Sequence, residues 1–146
     1  MGSFNVTGFE RYKPFITTTA SADPAGTGAE VSHTVPAGQL WRLLGARVSL
    51  VTDANAANRT VAFTIDDGTT VIQRFTSPST QAASLTYGYT FTVGAANAAV
   101  LNLEVVVGIG GDLLLPPGYR LKTVTNNVQA TDNYGVMTFF IVKYTK

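Results

Sequence analysis

Leu85-Thr86-Tyr87-Gly88-Tyr89-Thr90-Phe91-Thr92-Val93 decides the fold. Leu85, Tyr87, Tyr89, Phe91 and Val93 fall on one side of an extended chain, and Thr86, Gly88, Thr90 and Thr92 on the other. A strict period of two is the mark of a strand with one buried face. Thr60 to Ile65 repeats it, with Val61, Phe63 and Ile65 alternating with Thr60, Ala62 and Thr64. Asp67-Gly68 then supplies a tight turn into a strand over 71–75, a strong hairpin signal. Leu101, Leu103, Val105 and Val107 alternate with Asn102 and Glu104 and predict another strand.

Further strands are predicted at 31–35, 40–52, 119–126 and 134–144, with turns at Pro36-Ala37-Gly38, Ser77-Pro78, 108–112 and Pro116-Pro117-Gly118. No window repeats apolar residues at three and four, so no amphipathic helix is predicted. About eight short strands with turns between them predict an all-β, jelly-roll-like antiparallel sandwich over residues 30–146. Residues 1–29 read as an extended N-terminal arm with one strand at 13–19 and a flexible loop behind it. Phe4, Phe9, Tyr12 and Phe15 are too many aromatics for a solvated tail, so the arm is expected to lie along a surface.

The composition narrows the function classes. The 146 residues are 45% hydrophobic and only 13% charged, against about 25% charged in an ordinary domain. Ten Lys and Arg face nine Asp and Glu, and the arginines are scattered. No basic stripe forms, so nucleic acid is not an expected partner. The longest apolar run, 105–109, is far short of a membrane span, so no membrane partner is expected. With no cysteine there is neither a disulfide framework nor a thiolate site.

Two segments break the rule of one apolar face. In 40–51, Leu44, Ala46, Val48 and Leu50 take one side while Trp41, Leu43 and Val51 take the other. In 134–142, Tyr134, Val136, Phe140 and Val142 oppose Met137, Phe139 and Ile141. Both faces then need cover, from the arm, from the loop 76–84, or from another subunit. Trp41, Leu43, Met137, Phe139 and Ile141, together with the four arm aromatics, are the candidate contacts.

Catalytic chemistry finds little to work with. His33 is the only histidine and alternates with valines, as a surface residue of a strand would. Asp66 and Asp67 point to opposite faces and suit a hairpin turn better than an acid–base pair. Asp53 with Asn55 and Asn58, and Asp132 with Asn133, lack the ligand spacing of a calcium loop. Gly108-Ile109-Gly110-Gly111-Asp112 lacks the Lys-Ser/Thr of a phosphate loop. Trp41, Tyr87, Tyr89 and Tyr119 could offer a sugar-stacking platform, but the alternation assigns Tyr87 and Tyr89 to the core. No cofactor, no metal and no enzyme activity is expected.

Three stretches carry a resemblance. They are Val35-Pro36-Ala37-Gly38-Gln39-Leu40-Trp41-Arg42-Leu43, Leu114-Leu115-Pro116-Pro117-Gly118-Tyr119-Arg120-Leu121, and Thr125-Asn126-Asn127-Val128-Gln129-Ala130-Thr131-Asp132-Asn133-Tyr134. Across residues 31–144 the chain resembles small virion proteins of tailed bacteriophages with β-sandwich or jelly-roll folds. Within that group it is most similar in character to capsid decoration (cement) proteins, which are compact, often trimeric and without catalytic residues. The resemblance implies a homo-oligomer, expected to be a trimer, bound to the major capsid protein on the virion surface after synthesis in the host cytoplasm. The alternative is a tail or fibre domain, or a carbohydrate-binding module, that recognises host glycans.

Overall fold

The computed structural model describes residues 13–145. Among them run twelve strands: β1 (Lys13–Ala20), β2 (Ser32–Thr34), β3 (Gln39–Val51), β4 (Thr60–Asp66), β5 (Val71–Thr76), β6 (Thr86–Val93), β7 (Ala98–Leu101), β8 (Glu104–Ile109), β9 (Leu114–Leu115), β10 (Arg120–Asn126), β11 (Asn133–Tyr134) and β12 (Thr138–Thr145). They form the expected all-β sandwich. The larger sheet runs β1-β12-β3-β6-β8-β7, with β9 and β11 paired to the two ends of β3; the smaller runs β2-β10-β4-β5. Every pairing is antiparallel except β6 with β8.

The core lies between the sheets. Trp41, Leu43, Val48, Leu50, Tyr89, Phe91, Val105, Val107, Phe139 and Ile141 of the larger sheet meet Val61, Phe63, Ile65 and Leu121 of the smaller, all of them buried. Phe63 and Phe91 touch across the interior with ring centroids 5.1 Å apart, inside the favoured range for aromatic pairs. The β4–β5 hairpin turns where Asp67-Gly68 predicts it. Gly68 takes a φ of +100°, and the Asp67 carboxylate accepts the backbone N–H groups of Thr69 and Thr70.

β3 is not apolar on both faces. Phe140 pairs with Gly45 and Ile141 with Leu43, which leaves Leu44 as one extra residue in β3. Such a bulge inverts the alternation beyond it. Trp41 and Leu43 before it, and Ala46, Val48 and Leu50 after it, therefore point into the same core. The last segment is interrupted too. Tyr134 belongs to β11, the backbone leaves the ladder at 135–137, and parity changes before β12 begins. Tyr134, Met137, Phe139 and Ile141 consequently all point inward.

The single strand predicted through Leu101, Leu103, Val105 and Val107 is two strands. Asn102 and Leu103 adopt φ of 50° and 66°, closing a tight β7–β8 turn that leaves Leu101 and Leu103 exposed. Two of the four strands beyond the eight predicted for the sandwich come from such splits, at β7–β8 and β11–β12; the others are β1, which the sequence reading assigned to the arm, and the short β9, which it did not predict. The strand predicted at 13–19 exists as β1, but it is part of the sandwich rather than of a separate arm. It pairs with β12 at eight positions, from Lys13 with Thr145 to Ala20 with Thr138.

Candidate interaction surface

Since the odd residues of β12 turn inward, its even residues make the outer face of the larger sheet. Phe140 and Val136 stay 46% and 44% exposed, and Ile16, opposite Val142 on β1, is 65% exposed. The bulge sets Gly45 on the same face, opposite both Phe140 and Thr92. With no side chain at Gly45, the surface dips into an open groove of about 440 Å³. Gly45, Arg47, Ser49, Thr90, Thr92, Val136, Thr138 and Phe140 line it. Its size matches small-ligand clefts, and its polar groups are mostly hydroxyls.

Charge on this face is paired off. Arg47 donates to Glu104 at 2.5 Å and Arg42 to Asp112 at 2.8 Å, both pairs largely solvated. The Arg47–Glu104 pair lies flat across Gly88, where a Cβ would run into both side chains. The face thus presents apolar, hydroxyl and self-neutralised groups. That makes it suited to an uncharged or weakly charged partner.

The candidate contacts divide sharply. Trp41, Leu43, Met137, Phe139 and Ile141 lie in the chain's own core at 0–1% exposure, where no neighbour can touch them. The sequence reading placed them on a face needing cover, and the bulge and the interruption before β12 correct it. Phe15 is 46% exposed on β1, with the Lys143 ammonium 5.7 Å from its ring centroid. Phe4, Phe9 and Tyr12 lie outside the described residues. Val136 and Phe140 fall on a face that the sequence reading also held to need cover, though it did not name them as contacts. Arg47 and Thr90, and the buried Gly45 at the floor of the groove, are the residues that sequence reasoning missed. A one-residue shift of the apolar pattern at Leu43-Leu44-Gly45 is the signal that could have found them.

Polar clusters elsewhere are structural in character. Arg59 is fully buried and spends all five of its N–H donors. Its Nε and Nη2 donate to the two Asp132 oxygens at 2.9 and 2.8 Å, and Nη2 also to Asp53 at 2.5 Å. Its Nη1 donates to the carbonyls of Asn55 and Ala57 at 2.9 and 2.6 Å. The Thr131 hydroxyl donates to Asp53 as well, and with Asn55 and Arg59 holds that carboxyl down at about 2 against the opposing pull of burial. Burial alone would raise Asp132, but Arg59 and the backbone N–H groups of Gln129 and Asp53 outweigh it and hold it low. The cluster ties the loops at one end of the sandwich together.

At the other end, burial of Asp66 is outweighed by Arg120 at 2.6 Å and Lys122 at 2.7 Å, which keep it at about 2. His33 is not a solvated surface histidine. Its ring stacks on Trp41 at 5.3 Å and leans on Phe139 at 5.2 Å, its buried Nε2 has no hydrogen-bond partner, and burial lowers its pKa. Tyr87 and Tyr89 are core residues as the alternation implies, and the Tyr89 hydroxyl bonds the Gln81 side chain at 3.0 Å. With Trp41 buried too, these residues form no exposed sugar platform. Among the described residues, no three His, Asp or Glu side chains gather closely enough to hold a metal ion.

No protein-family model matches the chain, and no curated protein matches it. Among solved structures the chain is similar to one called PfGH50B, at a TM-score of 0.33 and 6% identity over 93% of this chain and 24% of that one. The chain thus spans about a quarter of that structure's length, and a likeness this distant bears on neither fold nor function.

Proposed function

We propose that the chain is a structural protein of a bacteriophage virion, a capsid decoration protein that assembles as a homo-oligomer, a trimer, on the major capsid protein. The observation that carries the assembly part is the outer face of the larger sheet. Ile16, Val136 and Phe140 lie open to solvent beside a groove whose neighbouring charges are already paired. Exposed apolar surface organised around a concavity is what a subunit interface offers before its partner arrives. Among the described residues no strand pairs with the outer edge of β1, and that edge adds backbone donors and acceptors along the same side. The virion setting rests on the resemblance of 35–43, 114–121 and 125–134 to tailed-phage proteins.

Two measurements test the reading. Light scattering coupled to size exclusion should return a mass near three times the chain's 15.4 kDa. A labelled protein should co-sediment with phage heads and not with tails. A monomer at all concentrations removes the assembly reading, and attachment to tails or fibres replaces the head assignment.

A further inference from the structure

We propose that His33 is an acid-operated latch on the edge strand β2: protonation of its imidazole expels the ring from the slot it shares with Trp41 and Phe139 and loosens β2 from β10. The device belongs to the single chain and does not depend on assembly.

The slot is built from the middle of β2. His33 pairs with Leu121, which is buried, and paired residues project to the same side of a sheet. The imidazole is therefore turned inward, while Ser32 and Thr34 are exposed. Its ring stacks on Trp41 at 5.3 Å with the planes 19° apart, and lies 5.2 Å from Phe139. Trp41 spends its indole N–H on the Gln39 side-chain oxygen at 2.9 Å. The buried Nε2 of His33 has no hydrogen-bond partner. A neutral imidazole can leave that nitrogen as an unused acceptor, but the imidazolium carries N–H on both nitrogens. A charged donor with no acceptor in a buried place is costly, more so than the attraction of a cation for an indole face can offset.

The charges around the slot do not reverse that balance. On β10, Arg120 and Lys122 alternate with Leu121, face the other side and hold Asp66 at 2.6 and 2.7 Å, while Tyr119 brings a phenol to the inward row. Glu30, ahead of β2, gives its carboxylate to Thr123 and Thr125. On β3, Arg42 is exposed and paired with Asp112. On β12, Lys143 shares the inward row with Phe139, its ammonium 5.7 Å from the Phe15 ring centroid, and a cation there opposes a second one. Thr19 of β1, opposite Phe139, is uncharged. Burial is the cause that moves the His33 pKa, and it moves it down.

The strand is light enough to respond. β2 has three residues, and no strand pairs with its other edge among the described residues. Its flanks are tied by Thr123 N–H to the Val31 carbonyl at 3.1 Å, Val35 N–H to the Tyr119 carbonyl at 2.8 Å and Gly118 N–H to the Val35 carbonyl at 2.9 Å. Freed from the slot, His33 regains an ordinary pKa near 6.5. The loosened form then binds the proton better, so falling pH favours it. Behind the latch lie Trp41 and Phe139, otherwise buried.

His33 is the sole histidine, so its ring protons titrate without overlap in an NMR spectrum. The midpoint is expected below 6.5, and a midpoint at or above that value overturns the proposal. Amide hydrogen exchange, corrected for its intrinsic pH dependence, locates the opening. Between pH 7 and 5, where ordinary carboxylates stay charged, opening at the Val35 and Thr123 amides should rise at least about threefold while amides of β6 do not follow. His33→Phe fills the slot without titrating and should hold the β2 response flat; if that variant does not fold, His33→Gln takes its place. An equal rise in the variant overturns the proposal, as does a wild-type chain whose Val35 and Thr123 amides are indifferent to pH.

Discussion

Arg59 shows what a buried charge demands. A guanidinium at zero exposure is tolerable only because two carboxylates and two carbonyls meet every donor. Asp132→Ala leaves that cation half-paired in the interior, and chemical denaturation should record a loss of about 3–5 kcal/mol. Lys at position 59 cannot replace the forked geometry and should also destabilise the fold. The same carboxylates make stability depend on acid. Asp53 and Asp66 sit at about 2 and Asp132 is lowered too, against roughly 3.9 in an unfolded chain. Between about pH 4 and pH 2 the unfolded chain therefore binds more protons, and stability falls as pH falls through that window. Melting temperatures should fall slightly from pH 7 to 5, where burial of His33 resists its protonation, and drop steeply below pH 4. Asp66→Asn should flatten part of that drop.

At the scale of the element, the bulge at Leu44 decides which residues are core. Without Leu44, Trp41-Arg42-Leu43-Gly45-Ala46-Arg47-Val48 is a strictly alternating strand already in register with β12. Deleting Leu44 should therefore leave a cooperatively folding protein. Deleting Ser49, two residues before Val51, should not: it turns Leu50 toward solvent and removes the carbonyl that accepts the Gly135 N–H at 3.0 Å. The expected cost is about 2–5 kcal/mol by denaturant titration, comparable to truncating a buried leucine.

This element also marks how far the sequence could be read. β4 and β6 are local patterns of period two in sequence, and they were legible, as was β5 from the hairpin signal at Asp67-Gly68. The turn at Asn102-Leu103 contains neither glycine nor proline, and the single residues Gly45 and Gly135 do not by themselves announce the bulge and the interruption at 135–137. A reading by strict parity therefore set Tyr134 opposite Met137, Phe139 and Ile141, and Trp41 and Leu43 opposite Ala46, Val48 and Leu50, although all of these point inward. The Arg59 cluster was illegible for a different reason. Its main partner, Asp132, is 73 residues away, so nothing near Arg59 in the sequence announces it.

For the whole molecule, truncations on either side of β1 test whether folding and the proposed assembly separate. The core among the described residues is enclosed without residues 1–12, whereas β1 covers the edge of β12 at eight positions. Ser21 extends that attachment: its N–H donates to the Met137 carbonyl at 2.8 Å, and its hydroxyl accepts the Met137 N–H at 3.0 Å. Removing residues 1–12 should thus leave the melting temperature of the isolated chain within a degree or two while lowering the assembled mass. Removing residues 1–20 strips β12 of its partner and bares a new edge next to the apolar outer face. The melting temperature should then fall by more than about 5 °C, roughly 2 kcal/mol for a chain of this length, with aggregation following. Equal melting losses for the two truncations would place the first twelve residues in the folding unit itself, and the division of the chain into a sandwich and an assembling segment would fail.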